Sequence, residues 1–456
     1  MTKKTDNHSL IHRLGSPLSR RNFLKLSGAA GAAVALGTLP RGLAQEPVTL
    51  TYWHGWTGQW EEMVNFVVDM FHQKQDRIRV EPVVVAWDQF LAKLSAAIAA
   101  GNPPDIATLF GSTAIPTLAR QGAILALEDI EGVDLAAAQA WFNPSVYELG
   151  QFEDKTYGLS YWAGDNCLLY NKAHFEEVGL DPEKGPATLA ELDAYAEQLT
   201  VKDGDKITRM GFQPTDLWLW GTVFGGSFYN PETKTVTAND PNIVRALEWM
   251  QSYPEKYGAR EIAAFQTGLS SERAQNLDPF ISGKYSMQMN GPWKLGDLKN
   301  FGSDVRFGVV PPPVPEAGMP TANWTWGDIQ IIPNGVKDPA AAAEFVLFTG
   351  GVNDPEGYVE RVTWGDRPIN VPVSQQVIEN PAFQEIVTAF PGFDVFVDAL
   401  LNADRVGSPP VMAAAAFYSD RMTAMLEKVL LLQEEPQAAL DALTTEVQRQ
   451  LETMGS

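Results

Sequence analysis

The chain has 456 residues, of which 45% are hydrophobic, so it is long enough to form two domains with substantial cores. Its 34 basic and 56 acidic residues give a formal net charge of −22, and so acidic a surface would repel nucleic acid and anionic lipid. Five His and the single Cys167, in an apolar stretch, provide neither a disulfide framework nor zinc-finger spacing, so we interpret Cys167 as a buried side chain and expect no metal site.

The first 44 residues differ in composition from the rest and are predicted to be an export signal. The apolar run from Leu26 to Leu39 is shorter than the roughly 20 residues that a membrane-spanning helix needs. Before it, Arg20 and Arg21 stand in SRRNFLK, a pattern typical of twin-arginine signals; a chance arginine pair in a general secretory signal is the alternative. No cysteine follows the run, so we expect a periplasmic or extracellular protein without a lipid anchor. Removing this segment, with seven basic residues and one acidic, changes the charge to −28.

The mature chain begins with strands that alternate with helices. A strand predicted at 48–53 precedes a helix with apolar residues at helical spacing, and a second strand at 80–86 leads to Asp88 as the expected N-cap of a helix ending at Gly101. A third strand is predicted at 105–110. This alternation predicts a parallel sheet covered by helices on both faces, in the α/β class.

A second α/β region is predicted from about residue 160 onward. A strand at 166–170 precedes a helix, and Thr188 with Glu191 forms a capping box that opens the next helix. A further strand is predicted at 329–332, and the chain beyond Pro381 is expected to be largely helical.

Motifs that would indicate a nucleotide or a catalytic centre are lacking. The sequence contains neither a GxxxxGK[ST] phosphate loop nor a GxGxxG turn, so no ATPase and no nucleotide cofactor is indicated. A secreted glycosidase would need two carboxylates about 5 to 10 Å apart, which composition alone does not exclude because acidic residues are plentiful.

Five stretches carry a family resemblance. They are LTYWHGWTG (50–58), AAGNPPDIATLF (99–110), YGLSYWAGDNCLLYNKAHFEEVGLD (157–181), FISGKYSMQMNGPW (280–293) and IIPNGVKDPAAAAEFVLF (331–348). In this order they resemble the bacterial extracellular solute-binding proteins of ABC importers, in the carbohydrate, maltose-binding-protein-like class. The resemblance runs over residues 48–450.

The resemblance implies a two-lobed periplasmic-binding-protein fold of type II, α/β, in which each lobe is a sheet flanked by helices. A hinge would join the lobes, and a largely helical C-terminal segment would follow. Lobe 1 would comprise residues 46–158 and 322–350, and lobe 2 residues 159–321 and 351–456. Such a protein would be a monomer without a cofactor, which binds a carbohydrate in the cleft, delivers it to an inner-membrane ABC permease and catalyses nothing.

Tryptophans are the residues that indicate a sugar ligand. A pyranose presents a flat C–H face that stacks on an aromatic ring, while its hydroxyls need short polar side chains. Of the 13 Trp, those expected at strand ends or in turns are Trp53, Trp56, Trp87, Trp162, Trp218, Trp220, Trp293, Trp324, Trp326 and Trp364. Packing in the core is the alternative for each of these, and we expect it outright for Trp60, Trp141 and Trp249.

The resemblance also implies particular ligand contacts. Trp293 in NGPW aligns with a sugar-stacking tryptophan, and Trp56, Thr57 and Ser112 lie in loops that contact the ligand in relatives. Trp324 and Trp326 lie where the chain returns to lobe 1, and Trp162, Trp218 and Trp364 are candidates from the stacking argument.

Polar candidates are fewer. Asp165 and Asn166 lie beside a crossing segment, although the family's carboxylate position falls nearer Gly164. Arg367 could hold a hydroxyl or an anionic group, and an exposed surface ion pair is the alternative.

A glycerol-3-phosphate or glycerophosphodiester importer subunit is the closest alternative. The stretch YWHGWTG also resembles that branch, and His54 could face a phosphate. This alternative requires basic residues that converge on the cleft, and few lie near the candidate loops. A sensor that docks on a receptor is a third possibility.

Overall fold

The computed structural model describes residues 46–273, 278–302, 304–363 and 370–455. The predicted export signal lies outside the described residues. From Pro47 onward the chain forms one compact unit, in which two main sheets are surrounded by helices.

Short strands and mostly short helices alternate along the chain. The strands are β1 (Val48–His54), β2 (Ile78–Val84), β3 (Ile106–Leu109), β4 (Gln151–Phe152), β5 (Lys155–Thr156), β6 (Gly158–Ser160), β7 (Cys167–Asn171), β8 (Val201–Asp203), β9 (Lys206–Arg209), β10 (Tyr229–Asn230), β11 (Thr235–Val236), β12 (Met287–Asn290), β13 (Phe307–Val310), β14 (Ala322–Trp324), β15 (Ile329–Ile331) and β16 (Arg405–Gly407). The helices are α1 (Gln59–Lys74), α2 (Trp87–Ala99), α3 (Ile115–Arg120), α4 (Leu135–Trp141), α5 (Pro144–Tyr147), α6 (Lys172–Val178), α7 (Leu189–Leu199), α8 (Leu217–Val223), α9 (Pro241–Tyr257), α10 (Ala259–Arg273), α11 (Trp293–Phe301), α12 (Pro339–Thr349), α13 (Pro355–Thr363), α14 (Gln375–Ile378), α15 (Pro381–Ala389), α16 (Phe393–Leu401), α17 (Ala415–Leu430) and α18 (Pro436–Thr453).

The first sheet has the strand order β2-β1-β3-β15-β6. Strand β1 runs parallel to β2 and β3, whereas β15 runs antiparallel to both β3 and β6. The three strands for which a parallel arrangement was predicted are parallel, whereas β15, predicted without a direction, joins them antiparallel. This strand enters the first sheet directly from the second one, without the helical crossover that a parallel pair needs.

The second sheet has the order β12-β7-β13, and the central strand β7 is antiparallel to both neighbours. All five β7 residues are buried, as expected of a strand covered on both faces. Cys167 is fully buried, which confirms its predicted place in the core, and burial raises the pKa of its thiol.

Two crossing segments, residues 161–166 and 311–328, connect the sheets. The Gly164 N–H donates to the Trp326 carbonyl (2.7 Å), and the Thr325 N–H donates to the Gly407 carbonyl (2.7 Å). The bond between Gly164 and Trp326 holds the two crossing segments side by side, at the place where the resemblance implies a hinge, and the bond from Thr325 fixes the second segment to β16. The exact lobe boundaries stay a prediction.

Local helix signals were mostly read correctly from the sequence. Thr188 caps α7 by accepting a bond from the Glu191 N–H (3.3 Å), while the Glu191 carboxylate accepts from the Ala187 N–H (2.8 Å). Asp88 is not an N-cap, because α2 already begins at Trp87; its carboxylate lies in the first turn, where it meets the positive end of the helix dipole.

The C-terminal part is helical, as predicted. Beyond Pro381 the described chain forms α15 to α18, interrupted by the short strand β16. Within the described ranges, no helix combines the length and the apolar character needed to cross a membrane.

Candidate functional site

Aromatic side chains from both sheets meet next to the crossing segments. Trp56 follows β1 and Phe110 follows β3, both in the first sheet, whereas Trp293 begins α11 just after β12 of the second sheet. Trp162 and Trp326 lie on the two crossing segments. With Trp87 at the start of α2, these six residues form a set that we call the aromatic row.

Trp326 is the central member of the aromatic row. Its ring centroid lies 5.7 Å from Phe110, 5.0 Å from Trp162 and 5.6 Å from Trp293, with interplanar angles of 51° to 80°. Such edge-to-face and tilted contacts are the favoured arrangement of aromatic pairs. Trp326 therefore connects a ring of the first sheet to a ring of the second.

The row continues from Phe110 toward the first loop of the mature chain. Trp87 lies 5.5 Å from Phe110 and 5.4 Å from Trp56, measured between ring centroids. Phe110 is 59% exposed although it is a large apolar side chain, and Trp56, Trp293 and Trp326 are half-buried. A contiguous, partly exposed set of rings between two sheets has the character of a ligand site.

Two glycines make room for these rings. A Cβ at Gly164 would lie 2.7 Å from Cε2 of Trp326, and a Cβ at Gly291 would overlap the Trp293 ring. The Trp326 ring therefore occupies the space that a side chain at position 164 would need. A carboxylate side chain at position 164 would therefore clash with this ring.

A chain of hydrogen bonds leads from Trp56 of the row to a buried carboxyl. The Trp56 indole Nε1 donates to the Tyr161 hydroxyl (3.1 Å), which in turn donates to Oδ2 of Asp328 in a long bond of 3.4 Å. Asp328 is fully buried, and burial raises the pKa of its carboxyl well above the usual range.

Asp165 and Asn166 lie at the junction of the crossing segments rather than in the row. The Asn323 amide donates to Oδ2 of Asp165 (3.1 Å), and the Asn166 N–H points to Oδ1 of Asn323 (3.4 Å). Burial raises the pKa of the Asp165 carboxyl well above its usual value, against the opposing effect of the Asn323 hydrogen bond. Asp165 and Asn166 on the first crossing segment are thereby hydrogen-bonded to Asn323 on the second.

The candidates of the first two loops differ in exposure. His54 ends β1 and is 1% exposed, and no partner is found for its Nδ1; burial lowers its pKa from 6.5 to about 4. Ser112 is buried two residues after Phe110, whereas Thr57 is exposed.

Trp218 and Trp324 belong to a second aromatic set. Their rings are stacked at 5.7 Å and 24°, and Trp218 also packs on Phe228 (4.5 Å) and Tyr418 (5.0 Å). Trp324 lines a cavity of about 700 Å³ together with Arg405. In the described part of the chain, no ring contact joins this set to the aromatic row, so the structure does not bring these two candidates to Trp293.

Trp364 and Arg367 lie outside the described residues. Of the tryptophans expected in the core, Trp141 is buried and donates to the Gly350 carbonyl (2.9 Å), and Trp249 donates to Asp193 (3.1 Å). Trp60 is only half-buried and packs against Trp56 at 5.7 Å.

Three members of the site were missed as candidates in the sequence. Phe110 is predicted only as the last residue of a strand, and neither Tyr161 nor Asp328, which precedes the strand predicted at 329–332, is predicted as a site residue. The stretch TLFGS did contain a signal for Phe110, because a large apolar residue directly before Gly-Ser is placed at a strand end. Across the described ranges, no group of three or more metal-binding side chains is found.

Comparisons with known proteins agree with this architecture. The chain matches the family of bacterial extracellular solute-binding proteins over residues 67–390, and the twin-arginine translocation signal over residues 17–37. The sn-glycerol-3-phosphate-binding periplasmic protein UgpB of Pectobacterium atrosepticum is 25% identical over 437 residues, which cover 91% of this chain and 93% of that protein.

Solved structures extend the comparison. CpMnBP1 with mannotriose bound is 28% identical, with a TM-score of 0.71 over 88% of this chain and 100% of that one. The cyclic alpha-maltosyl-1,6-maltose binding protein of Arthrobacter globiformis has the same fold, with a TM-score of 0.72 at 21% identity over 89% of this chain and 100% of that one. The chain therefore belongs to the bacterial extracellular solute-binding protein family, as a twin-arginine-exported solute-binding subunit of an ABC transporter.

Proposed function

We propose that the solute captured by this subunit is a carbohydrate, bound between the two sheets and handed to the membrane permease without any chemical reaction. The observation that carries the proposal is the aromatic row, in which partly exposed rings of both sheets adjoin. Aromatic faces suit the C–H faces of sugar rings. The row contains several separate rings, which favours an oligosaccharide over a single sugar.

The same arrangement supports a closing mechanism. Phe110 and Trp56 follow strands of the first sheet, and Trp293 follows a strand of the second. A ligand that contacts both groups binds the closed arrangement more tightly than the open one, and so shifts the population toward closure. The closed form is then the one that docks on the permease.

A phosphorylated glycerol is the second candidate, because UgpB of Pectobacterium atrosepticum is named for that ligand. An anionic ligand needs cations at the site. Lys294, which follows Trp293 in the sequence, is buried, and its ammonium donates to Asp278 (2.5 Å) and Asp297 (3.1 Å). Two carboxylates thus already neutralise it, which favours an uncharged ligand.

A thermal-shift screen of the mature protein, residues 45–456, tests the proposal. The panel contains mannotriose, other oligosaccharides, monosaccharides, polyols, sn-glycerol 3-phosphate and glycerophosphodiesters. A ligand at 100 times its dissociation constant adds about 2.7 kcal/mol to the free energy of unfolding, which is readily seen as a higher Tm. We expect stabilisation by oligosaccharides without release of reducing sugar. Stabilisation by phosphate esters alone would establish the second candidate, and turnover of a sugar would refute a binding function.

Phe110→Ala is expected to weaken oligosaccharide binding roughly tenfold, by removing one stacking face. Because the ring is 59% exposed, the free energy of unfolding should change by no more than about 0.5 kcal/mol. Leu91→Ala, which removes another exposed apolar side chain, is the control and should leave the affinity unchanged. Equal affinities of wild type and Phe110→Ala in titration calorimetry would remove Phe110 from the site.

A further inference from the structure

Asp328 lies at the point where the loops of the first sheet meet the second crossing segment. It directly precedes β15, and neither its carboxyl nor the rest of the residue has exposed surface. Because the Tyr161 hydroxyl accepts the Trp56 Nε1–H (3.1 Å), its own proton is available for Oδ2 of Asp328 (3.4 Å). One carboxyl oxygen thus orients, through a single tyrosine, a tryptophan of the aromatic row.

The Asp328 residue is also tied to neighbouring segments. The Ser160 hydroxyl lies within hydrogen-bond distance of the backbone carbonyls of Asp328 (3.1 Å) and Trp162 (2.5 Å). The residue is therefore held next to the end of β6 and the first crossing segment, which carries Tyr161.

Packing alone does not account for an acid at this position. No ion pair to Asp328 is found among the described residues, and its Oδ1 has no hydrogen-bond partner. Burying a carboxyl group without full compensation costs free energy that an apolar side chain of similar size would not cost. Direct contact with a ligand is also unavailable to a group that has no exposed surface.

We propose that Asp328 is a positioning residue, which through Tyr161 fixes the orientation in which Trp56 is presented to the ligand. The ligand part of this statement rests on the proposed function of the aromatic row. The hydrogen-bonded chain from Trp56 to Asp328 exists without ligand, so the positioning role has a readout of its own.

The indole N–H of Trp56, observed by ¹⁵N NMR and assigned with Trp56→Phe, provides that readout in the ligand-free protein. Asp328→Leu removes the acceptor of Tyr161, and Tyr161→Phe removes the hydroxyl that holds Trp56. We expect both to speed hydrogen exchange of this indole about tenfold, the effect of losing one hydrogen bond. Asp328→Asn keeps an acceptor and should restore the wild-type rate.

Asp193→Asn is the matched control. Asp193 is also bonded to a tyrosine and near a tryptophan, but in a helical layer, where it accepts from both the Trp249 indole (3.1 Å) and the Tyr253 hydroxyl (2.6 Å). This variant should leave the Trp56 signal unchanged. An unchanged Trp56 signal in both Asp328→Leu and Tyr161→Phe would overturn the proposal, and Asp328→Ala, which also removes the acceptor, replaces Asp328→Leu if that variant does not fold.

A second arm measures mannotriose affinity in a double-mutant cycle. Asp328→Leu should weaken binding about tenfold in the wild-type background and by less than about threefold in Trp56→Ala, because no indole is then left to position. Equal losses in the two backgrounds would refute the link to Trp56. If mannotriose does not bind the wild type, the carbohydrate proposal fails for this sugar, whereas the NMR arm still decides the role of Asp328.

Discussion

Trp293→Ala is expected to weaken ligand binding roughly thirtyfold or more while the protein stays folded. The half-buried ring is the first residue of α11 and meets Trp326 at 5.6 Å, so it closes the second-sheet side of the aromatic row. Removing a central aromatic contact costs about 2 kcal/mol of binding free energy. Titration calorimetry with the best oligosaccharide of the screen measures this loss directly.

The control for this prediction lies on the same helix. Phe301 ends α11 and is 70% exposed, so Phe301→Ala removes an equally apolar ring away from the row. It should leave the affinity at the wild-type value. An affinity of Trp293→Ala within threefold of wild type would show that the ligand does not stack on this ring.

Acidification is expected to destabilise the folded protein through His54. Burial lowers the pKa of its imidazole from 6.5 to about 4, so the unfolded chain takes up the proton first as the pH falls. The contribution of neutral His54 to the free energy of unfolding is complete above pH 6.5 and is lost as the pH falls toward 4. A pKa shift of this size lowers the free energy of unfolding by about 3 kcal/mol at pH 4.

Comparison with His54→Gln isolates this contribution. His174, whose pKa burial also lowers to about 4, acts in the same direction, and the buried carboxyls of Asp165 and Asp328 act in the opposite one. The wild type and His54→Gln both contain these groups, so their effects cancel when the free energies of unfolding of the two proteins are subtracted. Urea unfolding should therefore show that the free energy of unfolding falls less between pH 7.5 and pH 4 in His54→Gln than in the wild type. Equal falls in the two proteins would show that the proton is taken up by another group.

Much of the fold could be predicted because the patterns that indicate helix starts and buried strands lie in residues close together in the sequence. The Thr188 capping box and the buried strand around Cys167 depend on side chains within a few positions of one another, and both were confirmed. The export signal and the family could also be read from contiguous motifs, which the comparisons bear out.

The reversal of β15 could not be read in the same way. The direction of a strand depends on the sheet from which the chain enters. The sequence of a three-residue strand does not indicate whether it pairs parallel or antiparallel to its neighbours. The crossing segments that decide it are separated by more than a hundred residues, between Gly164 and Trp326.

The sequence by itself determined the class of protein, its export and the presence of many tryptophans near strand ends. Only the tertiary structure decided which of those rings come together: Trp324 and Trp326 are two residues apart, yet one stacks on Trp218 and the other joins Phe110 to Trp293. Neighbours in sequence share a strand signal, but the partners of a ring depend on sheet order and on the space left by residues such as Gly164. Those are properties of packing between distant segments, and no local pattern encodes them.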